Sequence, residues 1–353
     1  MTNSYHFQHI AALDGLRGTA VLVVLLAHMS PLYASGAFGV DVFFVLSGFL
    51  ITSILIRELI GTQRIAIGRF YARRFLRLLP ALWITTTGLV ALKWISGELT
   101  SHFLWEAVWA VTYTMNWVDG LSFGESRYLV HTWSLAIEEQ FYLLWPIALL
   151  GLRRTGISLA KQTALLFTLG IFVGVYRNLC EYDSLRIYHG LDTHCDGLLF
   201  GSALALLAVG GLERFATANR AIRWLAPVAV MAILVLPVYF TPRSPFTIRW
   251  GYSLVAVLST IVVWHCVTYA RTRLVTLFQL RLLVFTGKIS YGLYLYHWPI
   301  WNFLKSRLPT DHSWLKFATC TLLAYVLASI SFYLIERPIL RLKDRYFGSI
   351  ATT

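Results

Sequence analysis

The stretch LDGLRGTAVLVVLLAHM, Leu13–Met29, sets an arginine and a histidine into an otherwise apolar run. Neither side chain is at home in hydrocarbon. On a helix, Arg17 and His28 share a stripe about 16 Å apart along the axis. The reading of this run decides the rest: it is a membrane span that keeps two costly side chains for a purpose.

Composition supports a membrane protein. The chain has 353 residues, 57% hydrophobic and 13% charged, with a mean hydropathy of +0.64. A soluble domain of this length carries roughly twice the charge. Aromatics reach 15%, with 13 Trp, as expected where rings sit at membrane interfaces. An all-α polytopic bundle is expected. The formal net charge of +13 falls between apolar spans. That pattern favours anionic lipid head groups and an anionic cytosolic ligand as partners over nucleic acid. Cys180, Cys195, Cys266 and Cys320 lack the spacing of a metal site or a disulfide framework. Arg17, a missing basic leader and an immediate second span argue that the first span is retained, not cleaved.

Ten apolar runs are long enough to cross a bilayer or nearly so: 13–33, 38–60, 80–97, 131–150, 162–177, 191–210, 224–240, 249–270, 285–305 and 313–335. The segment 102–118 is apolar but holds Glu106, and reads as interfacial or re-entrant. Ten spans put both termini on one side. The connections 61–79, 151–161, 211–223 and 271–284 and the tail from 336 carry eighteen lysines and arginines. The opposite connections carry five: Arg127, Arg177, Arg186, Arg243 and Arg307. This imbalance predicts cytosolic termini in a cell membrane, bacterial inner membrane by expectation. Residues 1–346 read as one membrane domain, 347–353 as a short tail, with no fused soluble domain.

Helix rise converts sequence position into depth. His28, Asp41, Glu138, Glu139, Asp196 and His297 fall in the outer layer. Arg17, Arg69, Arg73, Arg74, Arg77, Lys288, Glu336 and Arg337 fall in the inner one. The expectation is a cationic cytosolic mouth joined by one passage to an acidic, histidine-containing chamber. Each residue has a plainer reading: Arg17 snorkels, the Arg69–Arg77 run sets orientation, and Asp196 and Arg337 hold structural ion pairs. The shared depth favours function. A histidine can take a proton from a hydroxyl, and a carboxylate behind it, Asp41 or Glu138, would fix its tautomer. Arginines grip phosphates, which suits coenzyme A, whose arm matches the Arg17–His28 span.

Several blocks together resemble the acyltransferase type 3 membrane proteins. They are Arg17 and His28 with ten residues between them, GVDVFFVLSGFLIT at 39–52, YARRFLRLLPA at 71–81, TWSLAIEEQFYLLWP at 132–146, GKISYGLYLYHWP at 287–299 and ERP at 336–338. The resemblance implies an O-acyltransferase that moves an acyl group, most simply acetyl, from acyl-CoA to a hydroxyl of an extracytoplasmic or lipid-linked glycan. Acyl-CoA is then a co-substrate, with no cofactor bound permanently and no metal. It implies an essential His28 with Arg17, roles for Arg74 and Arg77 in donor binding, and a place for Glu138 in the site. His28 is then the expected general base, helped by Asp41 or Glu138, with Arg73 beside the donor arginines. Ser47 and Gly48 would allow close packing. Trp133, Ser134, Glu139, Asp196, His297, Glu336 and Arg337 complete the candidates. One departure is His194, where the family carries arginine two residues before its aspartate. The rival reading is a transporter relaying protons through these groups, weakened by the lack of an inverted repeat; a third is a scaffold whose polar groups only hold helices together.

Overall fold

The computed structural model describes residues 9–30, 37–121, 128–242, 244–305, 307 and 313–347, and all regular structure among them is helical. Arg127, Arg243 and the extreme tail lie outside the described residues. The helices run α1 (Ala11–Met29), α2 (Ala37–Thr62), α3 (Ile67–Ile95), α4 (Ser101–Val111), α5 (Met115–Gly120) and α6 (Trp133–Arg154). Next come α7 (Leu159–Leu179), α8 (Ser184–His189), α9 (Leu191–His194), α10 (Asp196–Val209), α11 (Ala216–Tyr239) and α12 (Tyr252–Thr268). The chain closes with α13 (Arg273–Phe278), α14 (Arg281–Lys288), α15 (Ser290–Leu304), α16 (Ser313–Ser331) and α17 (Arg337–Phe347).

Eight stretches are long and apolar enough to cross a membrane. The two remaining expected spans come out shorter. Span 191–210 is α10, preceded by the small helices α8 and α9, and span 285–305 is α15, set off from α14 at Ile289. A short span is tolerable where protein rather than lipid surrounds it. That is the case for α10: it packs against α2, α7 and α12, and nearly all its residues are buried. Segment 102–118 forms α4 and α5, parted at Tyr113, whose φ is 54°. Glu106 is buried in α4 and accepts hydrogen bonds from the backbone N–H groups of Tyr128 and Leu129. Its role is to satisfy the chain entering α6.

The centre is built by close backbone contact. In α2, 78% of the apolar window is buried, against 22% for the α16 region. A methyl at Gly48 would run into the Leu198 carbonyl of α10, and one at Gly18 into the Leu283 carbonyl of α14. Glycine lets these helix pairs approach as membrane interiors require. Outside this centre, Trp83, Leu144, Phe172, Val228 and Leu322 turn outward. So much exposed apolar surface on several helices is stable only against lipid.

Candidate active site

The arginines meet first. Arg17 of α1, Arg74 and Arg77 of α3, Ser47 of α2, and Ser134, Glu138 and Glu139 of α6 line one cavity of about 90 Å³. Arg74 lies flat over the Tyr142 ring, 3.7 Å from its centroid, and 3.6 Å from Glu139. Tyr142 Oη donates to Glu138 Oε2 over 3.1 Å. Arg17 reaches Ser290 Oγ at 3.5 Å. A neighbouring cavity of about 160 Å³ is lined by Arg17 and Arg77 again, with Lys288 and Glu336. Arg17 and Arg77 therefore stand at the step from a cationic mouth to an inner chamber. Glu336 is held by Ser331 Oγ at 3.1 Å, in a π-helical turn over Phe332–Glu336. Arg73 and Arg337 are not among the residues lining either cavity; Arg337 lies by the Tyr333 ring.

His28 lies elsewhere, in a cavity of about 260 Å³ that it shares with Asp119, His131, Trp133, Tyr188, His189 and Trp298. Hydrogen-bond bookkeeping fixes its tautomer. His297 Nδ1 is 2.7 Å from the Tyr294 carbonyl. A carbonyl only accepts, so this nitrogen carries the hydrogen and Nε2 of the neutral ring is bare. Nε2 lies 2.9 Å from His28 Nδ1, which must then donate. His28 Nε2 is left with its lone pair free and has no hydrogen-bond partner among the described residues. The rings stack, 5.2 Å between centroids and 6° apart. His131 is anchored in a similar way. Pro299 has no N–H to offer the Leu295 carbonyl one turn back, and His131 Nε2 donates to that carbonyl at 3.2 Å.

Several expectations need correcting. Asp41 is not behind His28. It sits 2.9 Å from His194 Nε2, while His194 Nδ1 donates to the Tyr188 carbonyl at 2.7 Å. With both ring nitrogens facing acceptors, Asp41 and His194 share a proton in a buried pair. Asp196, by contrast, is the structural ion-pair member its plainer reading expects, held by buried Arg177 at 2.6 Å. Glu138 and Glu139 lie with the arginines, so the carboxylate in the histidine cavity is Asp119. Depth gave the right level for Asp41 but not its face: α2 turns it toward α10. Glu138 lies about 7.5 Å further along α6 than Trp133, which carries it from the histidine side to the arginine side. Among the described residues, none lines both cavities, so the expected single passage is divided here. The partition is thin: consecutive Trp133 and Ser134 face opposite cavities. Tyr294 closes it, with Oη 2.7 Å from both Ser134 Oγ and the His131 carbonyl.

His131, Tyr142 and Tyr294 carried no role of their own in the sequence reading. Tyr142 and Tyr294 lie inside the quoted blocks 132–146 and 287–299, and His131 one residue ahead of the first, so their place in or beside motifs was their only signal. Among the described residues, no set of three or more His, Cys, Asp or Glu side chains is arranged to hold a metal ion.

A helical membrane bundle with an arginine-lined chamber at one end of α1 and a free imidazole nitrogen at the other fits a transferase that works within the membrane. The chain belongs to the acyltransferase type 3 family: that family's acyltransferase domain matches residues 10–335. It is 31% identical to the peptidoglycan O-acetyltransferase OatA of Listeria monocytogenes over 96% of this chain and 57% of the relative. Identity is 35% with the putative peptidoglycan O-acetyltransferase YrhL of Bacillus subtilis, over 95% and 55% of the two chains. With O-acetyltransferase OatA of Staphylococcus aureus it is 30%, over 95% and 58%. The chain thus spans a little over half the length of these relatives. No solved structure matches it.

Proposed function

We propose that this chain is a membrane O-acetyltransferase. It takes an acetyl group from acetyl-CoA at the arginine mouth and passes it to a hydroxyl of an extracytoplasmic or lipid-linked glycan in the histidine cavity. Residues 1–346 form the working unit, set in a bacterial inner membrane with both termini in the cytosol, as the lysine and arginine imbalance predicts. The relatives named for peptidoglycan make a cell-wall glycan the first acceptor to try.

One observation carries this reading: His28 presents a bare Nε2 to a cavity while His297 holds its other nitrogen. The lone pair is placed to meet a thioester carbon or a hydroxyl proton. Guanidinium groups at Arg17, Arg74 and Arg77 suit the phosphates of the donor. The thioester reaches His28 when the Tyr294 hydroxyl swings off Ser134 and the His131 carbonyl. Membranes carrying the chain, given labelled acetyl-CoA and cell-wall glycan, should form an alkali-labile ester, and H28A should form none while remaining abundant. Full turnover in H28A, or glycan crossing vesicles without acylation, refutes the reading.

A further inference from the structure

Besides His28, the histidine cavity holds two more imidazoles, His131 and His189. His131 Nδ1 is buried without a hydrogen-bond partner among the described residues, and only His189 has a carboxylate within reach of its ring. His189, the last residue of α8, is buried and lines the cavity with His28. Its Nδ1 stands 3.0 Å from Asp119 Oδ2 of α5. The contact is close enough for an ion pair but does not have hydrogen-bond geometry. Two features fix the ring in place: the His189 carbonyl accepts from Asn116 Nδ2 at 3.2 Å, and the Trp133 ring packs 4.9 Å away. Its Nε2 has no partner among the described residues. A carboxylate at one imidazole nitrogen and a free lone pair at the other is the layout of a general base.

His28 and the carboxylate-backed His189, facing one cavity, match two steps. We propose that His189, oriented by Asp119, takes the proton of the acceptor hydroxyl, and that His28 carries the acyl group. This rests on the transfer reading above and assigns its second half. In the first step His28 Nε2 attacks the thioester carbon, the C–S bond breaks and the thiolate leaves. The Nδ1–H bonded to His297 shares the imidazolium charge. Acylated Nε2 has no lone pair left, so His28 cannot deprotonate the acceptor. In the second step the hydroxyl oxygen attacks the acyl carbon as its proton moves to His189 Nε2. The C–N bond breaks, its electron pair returns to His28, and His189 gives up its proton to water while the thiolate gains one. One thioester and one alcohol become one thiol and one ester.

The test compares two acceptors on the purified full chain with labelled acetyl-CoA. Hydroxylamine attacks an acyl-imidazole without a base; the hydroxyls of N-acetylglucosamine oligomers need one. In H189Q, ester on the oligomer should fall about 100-fold or more, the scale of a lost general base, while hydroxamate formation stays within about twofold of wild type. D119N, which keeps the shape of the side chain, should show the same split in smaller measure, and D119E should restore part of it. Parallel loss of both products would mean that the dyad only supports the fold or serves the donor, and overturns the assignment, as would unchanged ester formation in H189Q. Hydroxamate formation in H28A equal to wild type would instead remove the transfer reading itself.

Discussion

His297 should set the rate without touching either substrate. In the resting site the His28–His297 bond joins two neutral rings, and bonds of that kind contribute about 0.5–1.5 kcal/mol; when His28 becomes an imidazolium the same bond rises to about 1.5–3 kcal/mol. The difference, about 1–2 kcal/mol, belongs to the transition state and corresponds to about 5- to 30-fold in rate. H297L is the sharp perturbation, because leucine fills similar space and cannot accept a hydrogen bond. H297Q is its control, since the amide oxygen can take over from Nε2. Steady-state assays on purified protein should give H297L a kcat lower by that factor, with KM for acetyl-CoA unchanged. H297Q should recover most of the loss. A kcat for H297L within about twofold of wild type would refute the reasoning, and so would equal losses in the leucine and glutamine variants.

Three further outcomes follow from the same geometry. D41N should leave both stability and transfer close to wild type, because its amide supplies the hydrogen that Asp41 and His194 share; D41A should lower stability by about 1–3 kcal/mol through an unpaired buried ring nitrogen, read by thermal melting in detergent. R77Q should raise KM for acetyl-CoA and leave the rate with saturating donor nearly unchanged, which donor titration measures. G48A should cost about 1–3 kcal/mol by forcing α2 off the Leu198 carbonyl, seen as a lower melting temperature and reduced folded yield.

The bundle was legible because hydrocarbon leaves few choices: long apolar runs must be helices, and arginines clustered between them mark one face. Helix rise along α1 and α3 was enough to group Arg17 with Arg74 and Arg77. The partner of His28 was not legible. Rise gives a level, but which neighbour a side chain meets depends on rotation about the helix axis, set by packing. Asp41 shares the level of His28 and turns to His194, while His297 comes across from α15. Asp119 and His189 lie in short helices with little periodicity, so only tertiary packing brings them together. The His194 departure also needed coordinates: the arginine facing Asp196 is Arg177, from α7.

The partition between the two chambers has a consequence for the cell. A catalyst that must reach across a bilayer risks becoming a leak. Here Tyr294 and the first turn of α6 stand as a bulkhead between the two chambers. On the proposed reading, this bulkhead would deny ions a continuous water column while the enzyme is idle. On the same reading, a thioester donor held among the arginines would be kept from water on the histidine side.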